Sequence, residues 1–455
     1  MICRICKKCG LCPGEGGDSQ KMSVLFSAED CAIGFSSDAS SWDVGISVDL
    51  GTTSVAAAIF TLKDGKKISS GGEENRQRKF GSDIVSRISF SLADDGAKKL
   101  HEIALKQIEE ISGRLLHDAQ NFFLTARRGQ PHLSRIVIAG NSVMETFAAG
   151  FSAKSLSVFP FELPDPFGFS VSWGELSGAG ESIIPRECEI FFAPAVKSFA
   201  GGDVFCSMVS CAFFDGGKKS KFLADIGTNC ELCVYDSAEK KIFCASTSAG
   251  PAFEGYGIQQ GCPACEGAIS KVTVENSQGG KKIRAFVLGG GIPCGICGTG
   301  VLSAVSALVE SGAVDSSGEI LQDFAENGRI PLTEKIFLSQ GDIRNFQLAK
   351  SAVATGLEIL SAKSGCTEGE FFLAGGFGAL LDERDAFRVG MIPSFLRGET
   401  FSVGNASLSG AARLLLDDEF RGNSLKFASS VEYLDLAQDE NFQTAFIKNL
   451  ELKEI

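Results

Sequence analysis

The chain changes texture at Trp42. Val44, Ile46, Val48 and Leu50 alternate with other residues, a Gly51-Thr52-Thr53 turn follows, and Val55 to Phe60 is apolar again. Period-two alternation before a turn of small and hydroxyl residues, and a short apolar run after it, predict a β-hairpin. The pattern returns where Phe222 to Ile226 leads through Gly227-Thr228-Asn229 into Leu232 to Tyr235. Asp49-Leu50-Gly51-Thr52-Thr53 and Asp225-Ile226-Gly227-Thr228-Asn229 are near copies, 176 residues apart. A copy at so long a period predicts a duplicated domain rather than a solenoid of short repeats.

Between the copies, Leu100, Ile103, Ala104, Ile108, Ile111 and Leu115 recur at helical spacing and predict a helix over Lys98 to Ala126. A buried-type strand, Ile136 to Ala139, then ends at Gly140-Asn141. Beyond the second copy come a Gly-rich stretch from Leu288 to Gly300, a helix from near Val301, and a helix over Asp342 to Lys363. The strand Phe371 to Ala374 then enters Gly375-Gly376-Phe377-Gly378. Strands alternating with helices make the class α/β. The expected organisation is a Cys-rich segment and linker over 1–42, with Val24 to Phe26 as a short strand. Lobes over 43–205 and 206–419 follow, then an acidic tail over 420–455 that packs on the lobes or pairs with a partner.

The 455 residues carry a net charge of −13, which argues against nucleic acid as the partner. No apolar run of about 18 residues exists to span a membrane, and residues 1–20 lack the apolar core of a signal peptide. The expectation is therefore a cytoplasmic protein. In a reducing compartment the 16 cysteines are ligands or buried thiols rather than a disulfide framework.

The paired turns carry the candidate chemistry. Small residues let backbone N–H groups approach an oxyanion, Thr hydroxyls add donors, and an Asp at a strand end holds Mg²⁺ or its water. Two such turns facing each other would clamp a triphosphate. This puts Asp49 and Asp225 in catalysis and Gly51, Thr52, Thr53, Gly227, Thr228 and Asn229 on the phosphates, with Gly375 and Gly376 facing the nucleoside. Gly298, Thr299 and Gly300 form another small turn, whose glycines suit close backbone approach and join the nucleotide-binding set. Asp203, after Gly201-Gly202, is a candidate for orienting water or Mg²⁺, with a helix N-cap as the alternative; Glu254 is a weaker candidate of the same sort. The Gly-x4-Gly-Lys-Ser/Thr pattern of a P-loop is absent.

Cys3, Cys6, Cys9 and Cys12 are spaced so that successive thiolates reach one metal centre, and the run closes in Cys12-Pro13. It suits an iron–sulfur cluster, with zinc or no ligand at all as alternatives. Cys262 and Cys265 share a loop where both thiolates can converge, so ligation and burial stand level. Cys230 and Cys233 fall on opposite faces of a strand and read as core, and Cys294 and Cys297 also read as buried thiols.

The two turns with Gly375-Gly376 resemble the phosphate and adenosine motifs of the acetate and sugar kinase, heat-shock chaperone and actin superfamily. The segment from Asn75 and Gln77 through Phe80 to Ile88 is similar to one in the ATP-dependent reductive activators of corrinoid enzymes. So are Gly140 to Met144, Ala249 to Gly255, Gly295 to Gly300, Asp342 to Lys350 and the closing Val431-Glu432-Tyr433. The resemblance spans roughly Asp43 to Leu452. It implies a duplicated actin-like (ribonuclease-H-like) ATPase fold, two lobes around a nucleotide cleft. It also implies use of ATP and Mg²⁺ to pass a low-potential electron from an iron–sulfur cluster to Co(II) of a corrinoid protein in a methyltransferase system. An upstream ferredoxin or similar donor would supply that electron. The short Cys3–Cys12 run, to which a 4Fe–4S cluster is assigned, departs from the ferredoxin domains of better-known relatives. Were two copies to bring Cys262 and Cys265 together, four thiolates would be available to a bridging cluster, as in activators that resemble those of 2-hydroxyacyl-CoA dehydratases; a homodimer is carried as part of that expectation. The rival readings are an ATP-driven electron donor to another low-potential iron–sulfur enzyme, and a nucleotide-gated interaction protein without redox activity.

Overall fold

The computed structural model describes residues 42–125, 129–178, 180–227, 229–277, 280–321 and 328–455. Cys3 to Cys12, Val24 to Phe26 and Thr228 lie outside the described residues. Two compact units divide the described residues: those from Trp42 to Gly216 gather with Asn405–Tyr433, and Gly217–Gly404 gather with Leu434–Ile455.

The first unit is built on one six-stranded sheet. Its strands are β1 (Asp43–Leu50), β2 (Ser54–Thr61), β3 (Lys67–Glu74), β4 (His132–Gly140), β5 (Ser170–Ser172) and β6 (Glu189–Phe192), in the order β3-β2-β1-β4-β6-β5. The predicted hairpin is the antiparallel β1/β2 pair, and β1 runs parallel to β4 with Asp49 opposite Ala139. Successive side chains of a strand point to opposite faces. Ile136 and Ile138 accordingly join Leu100, Ala104, Ile108, Ile111 and Leu115 of the long Gly96–Thr125 helix. Val137 and Ala139 face the other way, toward Phe205, Cys206 and Val209 of the Gly202–Ser210 helix and Leu414 and Leu415 of the Ala406–Leu416 helix. A sheet covered on both faces has continuously apolar central strands, as β4 does over Ile136–Ala139, whereas in β1 the small residues Gly45 and buried Ser47 alternate with the aliphatic ones. Each fully buried aliphatic side chain contributes about 1.5–3 kcal/mol.

The second unit repeats the plan. It contains β7 (Lys221–Ile226), β8 (Asn229–Asp236), β9 (Lys241–Ser248), β10 (Ala268–Ser277), β11 (Gly280–Val287), β12 (Gly295–Ile296), β13 (Arg329–Pro331), β14 (Phe337–Ser339), β15 (Glu370–Ala374) and β16 (Thr400–Gly404). Its main sheet runs β16-β15-β7-β8-β9, with β17 (Val431–Leu434), where the chain re-enters the unit, at the edge. β7/β8 and β8/β9 are antiparallel, while β7/β15 and β15/β16 are parallel. The first unit has the same directions in β1/β2, β2/β3, β1/β4 and β4/β6. The series β3-β2-β1-β4-β6 and β9-β8-β7-β15-β16 therefore match in order and direction, so the duplication seen in two short turns extends through five strands. Gly140-Asn141 at the end of β4 is then the counterpart of Gly375-Gly376 after β15.

The helix expected over Asp342 to Lys363 spans Gln340–Ser364, because Ser339 and Asp342 form a capping box that starts it earlier. The helix expected from Val301 starts at Gly298. From the Gln340–Ser364 helix, Gln347 Nε2 donates to Leu450 O at 2.7 Å, and Lys350 Nζ donates to the carbonyls of Gly390 and Glu451. Burial pushes the Lys350 ammonium down to about 7. The polar residues of the Asp342 to Lys350 segment thus hold the end of the chain.

Candidate functional site

In the first unit the Gly51-Thr52-Thr53 turn is held by side chains from three other segments. Asn75 Nδ2 donates to Gly51 O at 2.7 Å, and the Asn75 N–H donates to Thr53 O at 2.9 Å. Arg87 Nη2 donates to Thr52 O at 2.6 Å, and Asn141 Nδ2 reaches Thr52 Oγ1 at 2.9 Å. Arg87 is fully buried, which lowers its pKa to about 10. The carbonyls of the turn are thereby turned toward protein donors. Asp49, at the end of β1, accepts from Asn405 Nδ2 at 2.7 Å and from Ser407 Oγ at 2.9 Å. Burial raises its carboxyl above the ordinary value, and these two donors oppose the rise.

Sequence reasoning missed Glu145. This carboxylate lies in the Ser142–Ala148 helix directly after β4, is fully buried, and accepts from the Gly202 N–H at 3.2 Å. Its pKa is held well above the ordinary value by burial first and the Asp203 charge second. Asp203 sits in the first turn of the Gly202–Ser210 helix, whose N-cap is Gly201, so the N-cap alternative for Asp203 does not hold. Asp49, Glu145 and Asp203 all bear on the buried Cys206 thiol and push it up, after burial itself. Three candidate acids therefore share one corner of the unit, at the ends of β1 and β4. Asn141 and Glu145 belong to the Gly140 to Met144 resemblance or lie just beyond it, and this was the available signal for the acid.

A raised Glu145 pKa has a definite sign. Between its unfolded value of about 4.3 and its folded value, the native state holds a proton that the unfolded state has released, so this group's contribution to stability falls as pH rises through that window. Glu145→Gln, neutral and of the same shape, removes the fall; its melting temperature relative to wild type rises progressively between pH 4 and pH 7. Glu145→Ala costs about 1–3 kcal/mol by stranding the Gly202 N–H. Thermal melts of both variants across pH check this, and a parallel pH profile for Glu145→Gln and wild type contradicts it.

In the second unit Asp225 ends β7 opposite Ala374 of β15. Gly375 follows with φ +81, and a Cβ there would lie 2.8 Å from Asp225 Oδ1 and from Ile226 O. Only glycine fits this approach, whereas a Cβ on Gly376 would meet nothing within 4 Å. The Gly227 N–H donates to Asn229 O at 3.0 Å, closing the turn, and a Cβ on Gly227 would lie 3.8 Å from Glu254 Oε1. Asp225, Gly227, Asn229, Gly375, Gly376 and Glu254 are thus gathered at one end of the sheet. The Gly298-Thr299-Gly300 glycines are placed differently. A Cβ on Gly298 would fall on the Phe253 carbonyl, and one on Gly300 on the Ile269 carbonyl, while Thr299 Oγ1 lies 3.3 Å from Cys297 Sγ. These glycines seat the Gly298–Glu310 helix against neighbouring backbone.

The same unit gathers three thiols: the Sγ atoms of Cys262, Cys265 and Cys294 lie within 4.8 Å of one another. Cys294 is exposed, which corrects its reading as a buried thiol, whereas Cys297, Cys230 and Cys233 are buried as expected. Cys262 Sγ is pushed up to about 12 by burial and by the neighbouring cysteines.

Residues 219–455 match the family model described as the C-terminal domain of RACo, the ASKHA domain, and residues 44–215 match the RACo middle region. The chain belongs to the RACo family. This RACo-family chain is 28% identical over 432 residues to the corrinoid activation enzyme RamQ of Eubacterium limosum, covering 89% of this chain and 70% of RamQ. It is 24% identical over 429 residues to the Co(II) methylated amine-specific corrinoid protein reductase of Methanosarcina barkeri, covering 89% and 76%. The solved structure of a reductive activator for corrinoid, iron-sulfur protein superposes with a TM-score of 0.74 at 27% identity, over 91% of this chain and 67% of that one. The RACo-family fold is the ASKHA type, the duplicated actin-like architecture implied by the paired turns. Among the described residues no helix is long and apolar enough to cross a membrane.

Proposed function

We propose that this chain is an ATP-dependent reductive activator of a corrinoid protein. The carrying observation is a matching antiparallel strand–turn–strand module in each unit, β1/β2 and β7/β8, each with an Asp near the strand end, in a chain whose two halves match RACo-family models.

Asp49 and Asp225 offer hard carboxylate oxygens of the kind Mg²⁺ takes, and Thr52, Thr53, Thr228 and the Asn229 amide offer side-chain donors for phosphate, while Gly51 and Gly227 keep the turns small and close them through their N–H groups onto Ser54 O and Asn229 O. When bound with the nucleotide, Mg²⁺ supplies Lewis-acid stabilisation of the phosphate charge. Asn405 and Ser407 orient the Asp49 carboxylate, and the Asn75–Arg87–Asn141 framework fixes the turn beside it. The open space at Gly376 is reserved for the nucleoside. Asp203 orients water, and Glu145, holding a proton, keeps the Gly202 end of that helix in place.

ATP is needed because an electron moved uphill by ~300 mV costs about 7 kcal/mol, at ~59 mV per tenfold. Nucleotide binding can meet this cost only by favouring a state with different affinity for the partner. Cys3, Cys6, Cys9 and Cys12 are proposed to hold an iron–sulfur cluster as the proximal donor, reduced by an upstream ferredoxin-type protein, with Co(II) of a corrinoid protein as the acceptor. Steady-state ATP hydrolysis tests the reading: a corrinoid protein in the Co(II) state stimulates it, and the same protein in the methylated Co(III) state does not. Equal rates with both overturn it.

A further inference from the structure

The thiols of Cys262, Cys265 and Cys294 stand in no part of the nucleotide chemistry, yet the backbone is organised around them. The Cys262 N–H donates to Ile296 O at 3.0 Å, the Cys294 N–H to Gly267 O at 2.9 Å, and the Ala268 N–H to Cys265 O at 3.0 Å. The first two bonds stitch the loop before β10 to β12 and the loop preceding it, and the third closes the turn at Cys265, so that Cys294 comes beside a Cys-x2-Cys pair that ends 29 residues earlier in the sequence. Two glycines clear room for the sulfurs. A Cβ on Gly295 would lie 2.7 Å from Cys262 Sγ, and one on Gly267, at φ +91, 3.0 Å from Cys294 Sγ.

We propose that Cys262, Cys265 and Cys294 hold one thiophilic divalent ion of the zinc class, as a three-thiolate site with its fourth coordination position open. At a Zn–S distance of about 2.3 Å, tetrahedral ligands stand about 3.8 Å apart. Sulfurs already within 4.8 Å of one another suit a single ion, whereas the ligands of a four-iron cube bind separate irons and stand wider. Cys297 is not the fourth ligand: its Sγ is buried and lies 3.3 Å from both Ile269 O and Thr299 Oγ1. Cys265 and Cys294 are exposed, so the open position faces solvent and accepts water or a donor from outside the chain. Binding releases the three thiol protons.

The site is independent of the corrinoid reading, and its test reads metal rather than activity. The full chain with Cys3, Cys6, Cys9 and Cys12 replaced by Ser is purified anaerobically, analysed for zinc, iron and acid-labile sulfide, stripped, and titrated with Co²⁺. One equivalent of Co²⁺ is expected to bind with thiolate charge-transfer absorption and intense tetrahedral d–d bands, and Zn²⁺ displaces it. Cys262→Ser, Cys265→Ser and Cys294→Ser each weaken binding by at least the roughly 10–100-fold that loss of a second-shell partner costs, while Cys297→Ser retains it. Far-ultraviolet circular dichroism confirms that each variant is folded. Iron with matching sulfide that disappears in the triad variants, a Co²⁺ spectrum unmoved by Cys294→Ser, or no binding at all overturns the proposal.

Discussion

Asparagine at Asp49 or at Asp225 lowers ATP hydrolysis by about 10²–10³-fold, the size of effect seen when one preorganised electrostatic group is removed from a reacting phosphate or oxyanion. The change keeps the shape of the side chain and deletes its charge, so the melting temperature stays close to wild type. Asp49 is the more instructive of the pair. Its carboxyl is raised by burial and lowered by the Asn405 and Ser407 donors, two opposing influences on one group. Ser407→Ala deletes one lowering partner, so the Asp49 pKa rises further and the acidic limb of the rate profile moves to higher pH, with the plateau rate retained. Wild-type rates in both Asn variants, measured with saturating Mg²⁺ and ATP, contradict the assignment of these carboxylates.

Gly298→Ala and Gly300→Ala destabilise the second unit by about 1–3 kcal/mol or more, because the new methyl is driven into a carbonyl oxygen rather than into a side chain that can turn away. The Gly298–Glu310 helix must retreat from the Phe253 and Ile269 carbonyls, and its apolar face, which includes Val301, Leu302, Ala304 and Val305, loses contact with the core. At about 2–4 °C per kcal/mol for a unit of this size, the melting temperature drops by several degrees. The increase in melting temperature that ATP produces persists. An unchanged melting temperature with lost ATP affinity instead assigns these glycines to the nucleotide.

The duplication was legible because two five-residue turns share Asp, Gly and Thr at the same three positions with an aliphatic residue at the second, and apolar strands flank both. Sequence reasoning did not reach the matched order of five strands, since β4 and β15 begin 82 and 144 residues after the ends of β1 and β7, the strands they pair with. The orienting partners of Asp49 were hidden for the same reason: Asn405 lies 356 residues away in sequence. Glu145 was hidden because a single Glu in a short helix looks solvated, and only its burial reveals otherwise. Cys294 was misread as a core thiol because it neighbours Cys297, which is one. The glycines around Gly298 show a different limit. A need for close backbone approach is visible in sequence, but whether the approaching group is a ligand or another strand is not.

The glycine-rich turns, the acids at the ends of β1 and β4, and the family membership of both halves converge on coupling ATP to a cobalt reduction. Anaerobic spectroscopy of a corrinoid protein of this type, held as Co(II) and mixed with reduced full-length chain, tests that coupling most directly. With Mg²⁺ and ATP the Co(II) spectrum converts to that of Co(I) or, with a methyl donor present, of methyl-Co(III). Without nucleotide, or with Asp225→Asn, it does not convert. Reduction at the same rate in the absence of ATP contradicts the account.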